Sequence, residues 1–251
     1  MKKNKPKYII TGDLDWASED CLDFYLTSLT NLGIKPLVFA THKSNTLLKY
    51  FNKNLVDIGL HPNFRKNSTQ GCGKEEIIYN LVKLYPKAKI FRCHGFQDSQ
   101  QILSLFYKKN IFFDSNQLNY MESNIEPINK KNKLIRFPVY WSDGMAILKN
   151  KNNYTLEKDF QYNKLNIFTD GLKIFNIHPF NYCFNFKNID QYNKHKYHTT
   201  NASKDVFHKF SSLNTFGIRN YVNEIIKIIL DNGYQFTSFE KILNRNLQLN
   251  D

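Results

Sequence analysis

The chain has 251 residues, 41% hydrophobic and 15% aromatic, which excludes intrinsic disorder and leaves ample material for a core. No stretch approaches the ~20 apolar residues of a membrane span, and the basic start Met1–Lys7 runs only into the short apolar run Tyr8–Ile10, where a secretory leader needs roughly 7–15 such residues. The formal charge of +13 reads as a solvated basic surface or as attraction to an acidic glycan, a lipid headgroup or a nucleotide-linked sugar. Nucleic acid is not expected as a partner, because there is no arginine-rich helix, RNP-like strand or finger spacing.

In chain order, short β-rich apolar runs alternate with helical periods. Tyr8–Ile10 predicts a strand. Ser18 then caps a helix with Glu19 and Asp20 in its first turn, where negative charge suits the helix dipole. Leu22, Tyr25, Leu26, Leu29 and Leu32 recur at helical spacing and Gly33 stops the run. Further strands are predicted at Leu37–Ala40, Val56–Leu60, Lys89–Arg92, Ile111–Phe113 and Leu172–Ile177, with helices at Asn45–Phe51, Lys74–Leu84, Ser99–Tyr107 and Phe216–Leu230. Leu134–Tyr140 reads as extended, with Pro138 at an edge or strand end. About seven strands alternating with helices predict parallel β/α units close to a barrel. Residues 116–166 and 185–212 break the rhythm and are expected to be long loops or insertions over one barrel end. No linker divides the chain, so residues 1–251 are expected to form one domain. The cysteines Cys21, Cys72, Cys93 and Cys183 fit neither a disulfide framework nor a zinc finger, and the protein is expected to be cytoplasmic and reduced.

The polar residues suited to chemistry gather just past apolar strands. Asp13 and Asp15 follow the first and His61 the third. Arg92 and His94 end the fourth, Asp114 the fifth, Asp143 follows Tyr140–Ser142, and His178 closes Ile174–Pro179. The C-terminal strand ends of a β/α barrel carry its active site, since only there do loops from all strands converge. Carboxylates at i and i+2 repel unless a cation lies between them or one is protonated, which points the Asp13–Asp15 pair towards a metal. Arg92 beside them is suited to hold a carboxylate ionised. His42, His195, His198 and His208 are read as core or surface residues, and Asp114 as a turn former. Tyr140 and Trp141 are either sugar-stacking rings or packed core.

These pieces together resemble the polysaccharide deacetylases with NodB homology (carbohydrate esterase family 4), and more closely their divergent WbmS-like branch, associated with surface-polysaccharide loci such as those for lipopolysaccharide. The resemblance is carried by Thr11–Ala17 (TGDLDWA), Gly59–Phe64 (GLHPNF), Arg92–Gly95 (RCHG), Tyr140–Asp143 (YWSD), Phe175–Pro179 (FNIHP) and Gly217–Arg219, over about residues 8–245. It implies an α/β deformed (β/α)7 barrel, a divalent metal, usually zinc, and hydrolysis of the C–N bond of an N-acetylated sugar, with free, lipid-linked and nucleotide-linked forms of that sugar all left open. In that pattern Asp13 corresponds to the catalytic base, Asp15 and His61 to metal ligands, Arg92 to the arginine paired with the base, Asp143 to the aspartate supporting that arginine, and His178 to the general acid. Two positions depart from the pattern. Leu14 separates the aspartates, and Arg65 stands four residues after His61 where the family has a second histidine. Arginine cannot ligate a metal, so His94 is the expected third ligand, the alternatives being two protein ligands with water, or no metal. Two other readings are a glycan-binding protein without turnover and a hydrolase of another linear amide or a formamido sugar.

Overall fold

The computed structural model describes residues 5–130, 134–149, 154–211 and 215–247. The strands are β1 (Lys7–Asp13), β2 (Leu37–Ala40), β3 (Asp57–Leu60), β4 (Ile90–Phe91), β5 (Phe113–Asp114), β6 (Ile128–Asn129), β7 (Ile135–Arg136), β8 (Trp141–Ser142) and β9 (Leu172–Asn176). They join in the order β6-β7-β5-β4-β3-β2-β1-β9-β8. Every pairing is parallel except β6 with β7.

β7 and β8 lie on one extended segment and reach opposite sides of the parallel sheet, β7 beside β5 and β8 beside β9. Phe137 N donates to Asp114 O (2.8 Å) on one side and Tyr140 N to Ile174 O (2.8 Å) on the other. Pro138, which has no N–H, falls at the crossover. The segment thereby turns the sheet into a deformed (β/α)7 barrel. β1 and β9 are buried nearly throughout, as strands inside a parallel barrel are.

The helices are α1 (Glu19–Thr30), α2 (Asn45–Asn52), α3 (Lys74–Leu84), α4 (Gln100–Tyr107), α5 (Asp143–Lys149), α6 (Leu156–Asn166), α7 (Pro179–Phe184), α8 (Ile189–His195), α9 (Lys204–Phe210), α10 (Ile218–Asp231) and α11 (Phe239–Leu247). α1 is capped by Ser18 Oγ on Cys21 N and buries Leu22, Tyr25, Leu26 and Leu29. α10 buries Ile218, Tyr221, Val222, Ile225, Ile226 and Ile229. Both follow the spacing read in the sequence.

The two stretches expected as loops are instead largely structured. Residues 116–166 contain β6, β7, β8, α5 and α6, and residues 185–212 contain α8 and α9; within them 131–133, 150–153 and 212 lie outside the described residues. The buried face of α6 is Leu156, Asp159, Phe160 and Asn163. Its spacing is helical, but two of the four are polar, which hides the apolar period. α8 buries none of its residues and has no such period to read.

Tyr140 and Trp141 belong to this packing rather than to a sugar platform. Both are fully buried. Trp141 Nε1 donates to Asp159 Oδ2 (2.8 Å) and its ring stacks on Tyr221, while the Tyr140 hydroxyl donates to Asn163 Oδ1 (2.7 Å).

Candidate active site

The floor of the site is built from two neighbouring strands. Thr11 and Asp13 alternate onto one face of β1, and in register Thr11 stands beside Asn176 of β9. Into this corner projects Arg92, wholly buried just past β4. Its Nη1 donates to Asp13 Oδ1 (2.8 Å), Asn176 Oδ1 (2.6 Å) and Thr11 Oγ1 (3.1 Å). Nη2 and Nε donate to Ser115 Oγ and O (2.8 and 3.2 Å). The guanidinium also lies 4.2 Å from the centre of the Phe39 ring. That ring fits because position 59 is glycine: a Cβ there would come within 2.7 Å of it.

Asp13 is thus gripped on both oxygens, Oδ2 accepting from Asn176 Nδ2 at 2.8 Å. Burial by itself would raise its carboxyl, but Arg92, His61 and His178 outweigh that and hold it below the usual range.

Asp15 is not on the strand. Ala17 N donates to Leu14 O (2.8 Å), and Asp15 and Trp16 between them have φ of 40° and 60°, both left-handed, as in a type I′ turn. Such φ is rare for a bulky residue, and strain of this kind concentrates at functional sites. The turn delivers the Asp15 carboxylate between three histidines. Its Oδ1 lies 3.1 Å from His61 Nε2 and 2.9 Å from His94 Nδ1, and its Oδ2 lies 3.2 Å from His178 Nε2. Burial raises this carboxyl too, yet the three histidines outweigh it and push it well below the ordinary range. The half-exposed Trp16 ring stands edge-on to His94 with centroids 5.9 Å apart.

His61 is the least satisfied group here. It is 1% exposed, and although Nε2 approaches Asp15, neither ring nitrogen makes a hydrogen bond. Leaving a buried polar group unpaired costs about 1–3 kcal/mol, so the ring is set for a partner that protein atoms do not supply. Asp15, His61 and His94 each offer one ligand atom, all within 4.8 Å of one another. A carboxylate and two imidazoles form a donor set suited to zinc, and the residues present fit a divalent cation.

His178 caps the start of α7, with Pro179 in the first helical position. Asp143, wholly buried, accepts from its Nδ1 (2.6 Å) and its backbone N (2.7 Å), and also from Gly144 N (2.6 Å) and Asn181 Nδ2 (3.1 Å). Burial works against a charged imidazole, but Asp143 and then Asp15 prevail and raise His178 well above 6.5. With Nδ1 engaged, Nε2 faces Asp15 and, at 3.9 Å, Asp13.

All seven residues expected from the sequence therefore gather at one barrel mouth, with one change of partner. Asp143 holds His178, not Arg92, because it opens α5 beside β9, across the barrel from β4. Support for Arg92 comes from Thr11, Ser115 and Asn176, which the sequence reading passed over. Thr11 precedes Asp13, and Asn176 precedes His178, by two residues, so the period-two alternation of a strand was the available signal. Asp114 lies apart, in a two-pronged pair with Arg136 (2.7 and 2.8 Å).

A parallel barrel with reactive groups clustered at its C-terminal strand ends, closed by one shared segment, is a NodB-type deformed (β/α)7 barrel. The family model described as WbmS-like polysaccharide deacetylase matches residues 10–196, and the chain belongs to that family. Among solved structures, one described as a polysaccharide deacetylase involved in O-antigen biosynthesis, from Bordetella bronchiseptica, aligns with a TM-score of 0.73 at 20% identity, over 88% of this chain and 89% of that one. A second, described as a polysaccharide deacetylase from Mycobacterium smegmatis, aligns with a TM-score of 0.52 at 11% identity, over 95% and 94%. At these identities the likeness is one of fold. No curated protein matches the sequence. No helix among the described residues is long and apolar enough to cross a membrane.

Proposed function

We propose that the protein is a metal-dependent N-deacetylase acting on an N-acetylated sugar of a surface polysaccharide or its precursor. The observation that carries this reading is His61, buried with neither ring nitrogen hydrogen-bonded, its Nε2 3.1 Å from Asp15, beside His94 and next to an aspartate locked onto a buried arginine.

Asp15, His61 and His94 would hold the cation. When bound, a divalent ion there supplies Lewis acidity towards a carbonyl oxygen and lowers the pKa of water. Asp13, kept ionised by Arg92, accepts a proton from the attacking water. His178, kept protonated by Asp143, donates one from Nε2 to the departing amine nitrogen, help that typically accelerates such a step by roughly 10²–10⁴-fold. Arg92 takes no proton. Its five contacts fix the angle of Asp13 and compensate its charge in a buried corner.

Protein purified without chelator is expected to carry one equivalent of divalent metal by elemental analysis and to release amine from N-acetylated sugars. Asp13→Asn should retain the metal and lose turnover, and His61→Ala should lose both. Wild-type protein that takes up no divalent metal sinks the hydrolase reading. Metal uptake without amine release from any N-acylated sugar would favour a glycan-binding role.

A further inference from the structure

Arg65, which stands where the family pattern has a metal-binding histidine, is left without a task by the chemistry above. It is exposed, and its loop is turned by Arg65 N donating to Asn63 Oδ1 (3.1 Å). The guanidinium lies against Gly95: a Cβ built there would fall 3.0 Å from Arg65 Nη2. Gly95 has a left-handed φ of 66° and directly follows His94, so Arg65 reaches the rim of the catalytic mouth.

Among the described residues no carboxylate forms an ion pair with Arg65. Beside it opens a cavity of about 410 Å³ whose walls include Phe64, Arg65, Lys66, Gly71, Lys74 and Ile77, and no acidic side chain. Lys74 donates to a neutral partner, Gln101 Oε1 (2.6 Å), and among the described residues no carboxylate forms an ion pair with it. Glu76 on α3 is turned to Cys72 N (2.8 Å) and does not line the space.

We propose that this cavity is a phosphate subsite, taking the diphosphate of a carrier-linked sugar while the sugar's N-acyl group lies at the catalytic centre. A planar guanidinium matches phosphate oxygens two at a time, and two ammonium groups beside it suit an anion of more than one charge better than a single carboxylate. The identity of the molecule bringing the phosphate rests on the deacetylase reading; the subsite itself does not. Nucleotide-linked and lipid-linked sugars share the diphosphate, so the chemistry names the group and not the carrier.

The test is calorimetric titration with inorganic pyrophosphate of protein freed of divalent metal by chelation and dialysis, so that no metal competes for the anion. Binding is expected in wild type and equally in Asp13→Asn, whose loss of turnover is measured separately. Arg65→Gln should weaken it roughly 10- to 100-fold, Lys74→Gln by less, and Arg65→Lys should restore only part, since the charge returns without the fork. Melting curves matching wild type check that the surface variants are folded. Titration with uridine diphosphate and with a short-chain prenyl diphosphate separates the carriers, the matching one binding more tightly than pyrophosphate. Pyrophosphate that fails to bind wild type at millimolar concentration, or that binds both Arg65→Gln and Lys74→Gln as tightly as wild type, overturns the proposal. If pyrophosphate binds as expected but no N-acylated sugar is deacetylated, the subsite stands and the enzymatic reading fails.

Discussion

Replacing Asp143 by asparagine separates two accounts of that residue. Its carboxylate accepts from His178 Nδ1 and Gly144 N on one oxygen and from His178 N and Asn181 Nδ2 on the other. Asparagine has the same shape, but whichever way the amide lies, its NH₂ faces two of these donors and their hydrogen bonds are lost. A hydrogen bond to a charged group contributes about 1.5–3 kcal/mol. At 1.36 kcal/mol per factor of ten, an NH₂ turned towards His178 Nδ1 removes that bond and lowers the population of the protonated, correctly aimed ring roughly 10- to 150-fold, whereas a carbonyl there keeps the bond, removes only the charge and lowers it less. His178 is raised above 6.5 with Asp143 the largest favourable cause, so the alkaline limb of the rate profile should move to lower pH in Asp143→Asn. The acid limb, which reports Asp13 held down by Arg92, should stay in place. Amine release measured across pH reads both limbs, and a magnetic resonance titration of the His178 ring reads the shift without substrate. An acid limb that moves while the alkaline limb stays is the pattern expected if Asp143 supported Arg92, and it would refute the reasoning.

Three further substitutions probe the surroundings. Asn176→Asp keeps the shape but brings a second carboxylate against Asp13; the repulsion should raise the Asp13 carboxyl and move the acid limb to higher pH, and an unmoved limb argues against contact between the two side chains. Gly59→Ala pushes a methyl within 2.7 Å of the Phe39 ring and 3.1 Å of Ile90 O, an overpacking that costs about 1–3 kcal/mol, or about 2–4 °C in Tm for each kcal/mol, with lost activity because Phe39 supports Arg92. Lys173 is fully buried over the Tyr140 ring, and burial lowers it to about 8, only partly offset by Asp170. Between pH 8 and 10.5 the unfolded chain therefore binds more protons at this lysine than the folded one, so its contribution to stability rises with pH across that window. Denaturant midpoints at about pH 7.5 and about pH 9.5 should show that rise in wild type relative to Lys173→Met, and equal differences at both pH values would contradict it.

What the sequence by itself determined was the run of β/α units and the approximate ends of each. Apolar strands buried on both faces and helices with a full apolar stripe, such as α1 and α10, declare themselves through local periodicity. It also determined which residues stand at the strand ends, and in a parallel barrel that already makes Asp13, Asp15, His61, Arg92, His94, Asp143 and His178 neighbours. α6 escaped because Asp159 and Asn163 occupy its buried face, satisfied by Trp141 and Tyr140, which are distant in the chain. Pairings inside the site were likewise a matter of tertiary structure. That Asp143 meets His178, that Thr11 and Asn176 hold Arg92, and that Arg65 lies on Gly95 depend on sheet order and on backbone turns at Asp15, Trp16 and Gly95. Periodicity is a property of neighbours along the chain, whereas a hydrogen bond between side chains 84 positions apart, as for Arg92 and Asn176, exists only once the barrel has closed.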